Sequence, residues 1–308
     1  LGLTGTTSDV DWDVSASYNR YNNFIWGTGY ELRRAASNLI GSVNPDTGVF
    51  EGWDPRDPQS EMPPGATANF DMRQTASYME IAGGAGYEIF ELPAGGVGMY
   101  LGASYREESL DSRADELSRA GLISGASGGG AGIGDRDITA VYTEINVPVL
   151  ENLELNLAAR YDDYSDFGDT FNPQISIRYN VIEQLLLCAS WGTGFKAPTL
   201  AQLNQDPSEG WSDVVNYLSC YEEGSSIESC STTRNIPTFI GKNTELKPEE
   251  SESYNIGAVW DITDNINMTV DYWKLNTDNL IDNMSSSTLL LFLAKQWEYA
   301  DAAGAPRA

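Results

Sequence analysis

The sequence contains no histidine. That excludes Ser-His-Asp and Cys-His nucleophilic catalysis and histidine-ligated zinc. Basic residues are also scarce, with 18 Lys and Arg against 45 Asp and Glu and a net charge of −27. So acidic a chain has no basic patch to neutralise phosphates, which excludes nucleic acid as a partner. No apolar run reaches the roughly 18 residues of a membrane-spanning helix. The chain starts directly at LGLTGTTSD without a signal peptide, so a mature or internal segment is expected. GGVGMYLG and GTGF lie in or beside strands, and no stretch completes GxGxxG, so no phosphate cradle is expected. Paired carboxylates are plentiful, but hydrated surface is the reading they favour over a glycosidase site. No enzyme activity, resident metal or cofactor is expected.

There are only three cysteines. Cys220 and Cys230 share one polar loop, SCYEEGSSIESC, and read as a loop-closing disulfide made in an oxidising compartment. Cys188, alone on a strand, reads as a passive small side chain.

What the chain does contain is alternation. Over residues 154–162, Leu155, Leu157, Ala159 and Tyr161 point one way, while Glu154, Asn156, Ala158, Arg160 and Asp162 point the other. This is a strand with one apolar and one wet face. After the turn YSDFGDT the pattern resumes with Ile175, Ile177 and Tyr179 opposed to Gln174, Ser176 and Arg178. After VIEQ it continues with Leu185, Leu187, Ala189 and Trp191. The result is an antiparallel meander. Aromatic residues sit near strand ends, and Tyr18, Tyr105, Tyr161, Tyr164, Tyr179, Trp191, Trp260 and Tyr272 are expected as two membrane-interface bands about 25 Å apart. Strands of about ten residues, apolar outside and polar inside, mark a transmembrane β-barrel.

Three separated segments, RYDDYSDFGDTFNPQISIRY, LLLCASWGTGFKAPTLAQL and NTELKPEESESYNIGAVW, resemble the mid-barrel of TonB-dependent outer-membrane receptors. Cys188 stands where that family usually has an Arg, and Lys196 where Arg is usual before Ala-Pro. The resemblance implies an outer-membrane receptor of a Gram-negative bacterium that binds a scarce large solute and imports it into the periplasm. The solute would be a ferric siderophore, cobalamin, haem or an oligosaccharide. It also implies contact with outer-membrane lipid and lipopolysaccharide, and energy drawn from the TonB complex through a plug region. A passive porin or a soluble β-sandwich binding module are the rival readings.

Along the chain, strands are expected over residues 11–21, 73–91, 97–105 and 138–147, then in the meander, then over 253–260 and 266–276. The connections LPAGG, PVLEN, VIEQ and DITDN are short, whereas 22–70, 107–136 and 193–250 are long, which places the long ones outside the cell. Leu32, Ala35, Ala36 and Leu39 predict a short helix over 31–40, and a helical turn is expected near Ser112 before the flexible tract GASGGGAGIGD. About nine strands are counted. They are expected to make an incomplete, all-β, antiparallel up-and-down barrel with long extracellular loops, lacking the N-terminal plug and the C-terminal strands, across residues 1–308. Asp162, Asp163, Asp166 and Asp169 form an acidic strand-top turn, read as solvated, with Ca²⁺ as the lesser alternative. Trp53, Trp211, Tyr217 and Tyr221 are the candidates for stacking on a ligand at the extracellular mouth.

Overall fold

A computed structural model describes residues 1–33, 41–54, 56–61, 63–123 and 130–303. The chain runs through β1 (Gly2–Thr7), β2 (Val10–Glu31), the two-residue strands β3 (Ser42–Val43) and β4 (Phe50–Glu51), β5 (Thr67–Leu92) and β6 (Gly95–Ala114). A short helix α1 (Glu116–Arg119) precedes β7 (Gly132–Leu150), β8 (Leu153–Tyr164), β9 (Gly168–Ile182) and β10 (Leu185–Lys196). Then follow α2 (Leu200–Asn204), β11 (Ser208–Val215), α3 (Tyr217–Glu222), a 3-10 turn at Ile227–Ser229 and β12 (Thr233–Ile240). The described chain ends with β13 (Glu249–Thr263), β14 (Ile266–Asp278) and α4 (Ser286–Ala303).

Ten of these strands form one antiparallel sheet in the order β1-β2-β5-β6-β7-β8-β9-β10-β13-β14, while β3–β4 and β11–β12 are separate hairpins in the loops. Among the described residues no second large sheet packs against this one, which removes the sandwich reading. The sheet is open, with β1 and β14 at its edges.

The register keeps the alternation coherent from strand to strand. Leu157 lies opposite Ile145 on β7 and Ile175 on β9, and Ile177 lies opposite Ala189 on β10. One continuous face therefore carries Val14, Ile81, Leu101, Val141, Ile256 and Val270, each large and exposed. A slip of one residue would turn this whole set inward, so the register is set by the apolar pattern itself. The other face carries the charged and hydroxylated residues.

Strand length departs most from the sequence reading. β2 has 22 residues, β5 26, β6 20 and β7 19. At ~3.3 Å per residue, β5 is ~86 Å long, far beyond the ~25 Å apolar band of such a wall even when tilted ~45°. Residues 22–31 and 67–70 of one stretch expected as a loop, 22–70, and residues 107–114 and 132–136 of the other, 107–136, are therefore strand that continues past the band. Polar residues such as Asn22, Thr75 and Ser109 take over its outward face there. The helical turn starts at Asp115, whose carboxylate accepts from the Ser118 amide, and not at Ser112, which lies in β6. Of the helix expected over 31–40, residues 34–40 lie outside the described residues, as do residues 125–129 of the glycine tract.

The count is ten and not about nine because β1, GLTGTT, pairs with β2 through small and hydroxylated residues that carry no apolar alternation. The segment that loses alternation after β14 is α4. Ser285 caps it, its hydroxyl accepting from the Thr288 amide, and no Gly or Pro interrupts its 18 residues.

Leu157→Arg, on the outward face at mid-wall, should destabilise the membrane-inserted receptor by about 2–4 kcal/mol. Asn156→Arg, facing inward one residue earlier, should cost much less. Urea unfolding in lipid vesicles followed by tryptophan emission measures both, and equal losses would contradict the assignment of faces.

Candidate functional site

The inward face is built of tyrosines and arginines that satisfy one another. Tyr100 donates to Asp13 across two strands at 2.6 Å, and its ring stacks on Tyr142 at 6.1 Å. Arg160 lies 5.3 Å over the Tyr142 ring and donates at 2.7 and 2.9 Å to both oxygens of Asp162. Asp162 is 1 % exposed. The aromatic part needs glycine on the neighbouring strand. A Cβ at Gly102 would stand 2.4 Å from the Tyr142 ring, and one at Gly84 would overlap the Tyr100 hydroxyl.

Higher on the same face, Tyr78 donates to Glu80. Arg106 covers the Tyr78 ring, and Arg136 lies 5.4 Å over Tyr164. Arg136 is the most committed of these cations. It contacts Glu108 at 2.6 Å and Asp166 at 3.6 Å, and it donates at 2.8 Å to the Pro198 carbonyl just ahead of α2. One guanidinium thus ties β6, β7, the β8–β9 turn and the start of the longest loop together.

Two sequence expectations are corrected here. Tyr164 is not an interface residue: it is 7 % exposed, on the inward face, stacked on Phe167 and edge-on to Phe195. It follows Asp163 by one residue and so points the other way from Tyr161. Nor is the acidic turn a solvated cluster throughout, because Asp162 is enclosed by the Arg160 fork, which balances its charge. Among the described residues no group of three potential ligands is placed to hold a metal ion. The other expected interface aromatics point outward. Tyr18, Tyr105, Tyr161, Trp191 and Tyr272 lie toward the long-loop end, and Tyr179 and Trp260 toward the short-turn end. Trp191 and Tyr254 both donate to Glu252, at 2.9 and 2.6 Å.

Above the wall, the loop between β10 and β13 forms a small folded cap. Cys220 and Cys230 are disulfide-bonded, with Cα atoms 5.9 Å apart. Val214, Cys220, Ile227 and Ala294 make its miniature core, each at most 4 % exposed. The helix α4 is pinned across it by Tyr221 donating to Asp301 at 2.7 Å, Val215 N–H donating to Ser287 at 3.2 Å, and Lys295 pairing with Glu228. The Lys295 ammonium, with the Ser226 hydroxyl, pulls the Glu228 carboxyl down to about 2. Lys295 is raised in return.

Beside the cap lies an open cavity of about 760 Å³, lined by Gln202, Gln205, Asp206, Lys242, Asn243 and Asp282 among others. Lys242 meets Asp206 at 3.4 Å, and the Asn243 amide donates to the Gln202 carbonyl. Of the expected ligand-stacking residues, Trp211 is 56 % exposed on β11. Tyr217 opens α3, and Tyr221 is engaged with α4. Trp53 belongs to a different loop, its carbonyl accepting from Gly41. The four are therefore not brought together in one site. Sequence reading missed the inward Tyr–Arg ladder, although its signal was present: Tyr78, Glu80, Tyr100, Arg106, Arg136, Tyr142 and Arg160 all fall on even positions, on the face opposite the odd positions that carry Met79, Ile81, Leu101, Val141 and Leu157.

An open, up-and-down antiparallel sheet, apolar on its outer face and ionic on its inner one, with a folded cap at one end, is a section of an outer-membrane barrel wall. A family profile described as "TonB dependent receptor-like, beta-barrel" matches residues 2–302. This chain belongs to the TonB-dependent receptors, outer-membrane β-barrels of Gram-negative bacteria that are receptors and transporters and not enzymes. It is 27% identical over 187 residues to a ferric enterobactin receptor of Pseudomonas aeruginosa, covering 59% of this chain and 23% of that protein. It is 29% identical over 122 residues to the vitamin B12 transporter BtuB of Photobacterium profundum, covering 40% and 14%. Among solved structures, the siderophore receptor PirA from Acinetobacter baumannii superposes with a TM-score of 0.55 at 18% identity, over 90% of this chain and 34% of that one. The chain thus spans about a third of the length of that structural relative, and less of the two sequence relatives.

Gly102→Ala should destabilise the wall by about 1–3 kcal/mol through overpacking against Tyr142. In the Gly102→Ala/Tyr142→Ala double variant most of that loss should vanish as coupling energy; additive losses by urea titration would dismiss the glycine cradle. The Glu228 pair carries a pH signature. Its carboxyl titrates near 4.5 when free and near 2 when folded, so its contribution is complete above about pH 4.5 and fades as pH falls toward about 2. Hydrogen-exchange protection across α4 should fall over that window more in the native protein than in Glu228→Gln. Identical profiles would remove this pair as an anchor.

Proposed function

We propose that this chain is the wall and extracellular mouth of an active outer-membrane importer, which binds a scarce large solute outside the cell and moves it into the periplasm with energy supplied through TonB. The family match across residues 2–302 carries this reading. The sheet supports it physically. Its apolar outer face suits hydrocarbon, and its ionic inner face suits a water-filled or plug-filled lumen.

In this reading the 308 residues are part of a longer receptor, whose plug and remaining strands close the open sheet and whose plug region meets TonB. Tyr18, Tyr105, Tyr161, Trp191 and Tyr272 mark the outer interface, Tyr179 and Trp260 the inner one, with lipid and lipopolysaccharide against them. The relatives are named for ferric enterobactin, other siderophores and vitamin B12, so a ferric siderophore or cobalamin heads the candidates, with haem and oligosaccharide behind. Trp211, exposed on the cap hairpin, is the residue best placed to stack on such a solute; Tyr217 contributes from α3.

The test is uptake. The complete receptor, produced in a host lacking its own route for labelled ferric siderophore or cobalamin, should accumulate label only when TonB is present and the inner membrane is energised. Trp211→Ala should weaken binding about tenfold without abolishing TonB dependence. Uptake that proceeds equally without TonB would make the protein a passive porin.

A further inference from the structure

The open cavity beside the cap, about 760 Å³, is assembled from three stretches of loop that are each tied in place. Asp206, just after α2, donates its amide to the Ala131 carbonyl at 2.7 Å, and the Asn243 amide, after β12, donates to the Gln202 carbonyl at 2.9 Å. The third stretch leaves β14 at Asp278 and turns through Asn279, whose φ of 55° lies in the left-handed region that asparagine tolerates. Glu249 then accepts from the Ile281 amide and the Lys196 ammonium, each at 3.0 Å. That latch holds Asp282 and Asn283 on the cavity lining.

The charged side chains on this lining do not cancel. Lys242 meets Asp206 at 3.4 Å, whereas Asp282 has no cation within ion-pair distance among the described residues and accepts from the adjacent Asn283 amide at 2.7 Å. Gln202, Gln205, Asn243 and Asn283 line the cavity with primary amides, which donate and accept without charge. The surrounding cap has the same sign, since residues 197–248 and 279–303 hold ten carboxylates against four cations. Two of those cations, Lys242 and Lys295, are already paired with Asp206 and Glu228. The other two, Arg234 and Lys247, are not on the lining. A neighbouring cavity of about 420 Å³ shares Asp206 and is bordered by Arg113 and Arg119. Arg113 is forked onto Asp111 at 2.7 and 2.8 Å, and Arg119 shares α1 with Glu116 one turn earlier.

We propose that this cavity selects the imported solute by charge, with Asp282 as the selecting residue: it takes a neutral or cationic solute and turns anionic ones away. A cleft lined by one sign of charge concentrates the opposite sign and repels its own, and an unpaired carboxylate raises the cost of the wrong partner. The amides then hydrogen-bond whatever uncharged polar groups the solute presents. A ferric tris-catecholate, whose phenolate oxygens outweigh the charge of Fe³⁺, is disfavoured, as is haem with its ionised propionates. A ferric tris-hydroxamate, whose ligands balance Fe³⁺, and cobalamin, rimmed by amides, both fit. The proposal rests on the importer reading above and narrows it.

Uptake by the complete receptor is measured for ferric tris-catecholate, cobalamin and a linear ferric tris-hydroxamate whose terminal amine is left free, N-acetylated or N-succinylated. The last series runs from cation through neutral to anion and differs at one end only. Native receptor should import the neutral and cationic solutes about tenfold faster than the anions at low ionic strength, and the gap should narrow as salt screens exposed charge. Asp282→Asn should close most of the gap, chiefly by admitting the anions. Glu222→Gln, which removes an exposed cap carboxylate that does not line the cavity, should behave as native. An anion imported as fast as the neutral solutes, or a gap that Asp282→Asn leaves intact, overturns the inference and leaves the importer standing. No TonB-dependent uptake of any of these solutes overturns the importer reading and this inference with it.

Discussion

Everything in this chain follows from placing hydrocarbon on one face of a sheet. Lipid offers no hydrogen bonds, so each backbone amide must find its partner on the next strand and each polar side chain must turn the other way. Alternation along the strands from β2 to β14 of the large sheet is the covalent record of that demand. The apolar set that a soluble protein would hide in a core, such as Val14, Leu101, Ile256 and Val270, is instead half or more exposed. Within the apolar band the charged set that would normally meet bulk water is gathered on the other face.

That gathering creates a second demand, since arginines and carboxylates confined to one wall must satisfy each other. They do so in a repeated arrangement of tyrosine ring, guanidinium above it, and carboxylate beyond, seen at Tyr142–Arg160–Asp162 and again at Tyr164–Arg136–Glu108. Breaking a pair as enclosed as Arg136 would strand a carboxylate with little solvent access. Because Arg136 also holds the Pro198 carbonyl, the electrostatics of the wall extend into the loop that builds the mouth. The wall and the mouth are joined by one side chain as much as by the chain itself.

How much of this was legible depended on whether a residue is governed by the lipid constraint. Leu155, Leu157, Ile175, Ile177 and Trp191 were placed on the outward face from alternation alone, and the short turns LPAGG, PVLEN, VIEQ and DITDN were legible from the gaps in it. Strand ends were not legible, because past the belt the outward positions need no longer be apolar; β2 continues from Tyr21 to Glu31 with polar residues on both faces. β1 escaped for the related reason that glycine and threonine carry no hydrophobic signal. Tyr164 was misplaced because nearness to a strand end was weighed above parity, and parity decides which side a ring faces. The cap lay beyond reach for a different reason. Its helix α4 follows Ser285 with a helical run, but nothing local says that it will lie on a disulfide loop about seventy residues earlier in the sequence.

The same division explains why the fold persists where sequence identity is low. A TM-score of 0.55 persists at 18% identity, because alternation and register can be met by many sequences as long as the outward set is apolar and the inward set is self-satisfying. The cap obeys neither rule. Its core is Val214, Ile227, Ala294 and the Cys220–Cys230 disulfide, and α4 is held across it by contacts such as Tyr221–Asp301 and Lys295–Glu228. A structure stabilised by a cross-link and a few surface pairs can change its exposed face, Trp211 included, without disturbing the wall beneath it. The segment least constrained by lipid is therefore the one whose exposed face is freest to change.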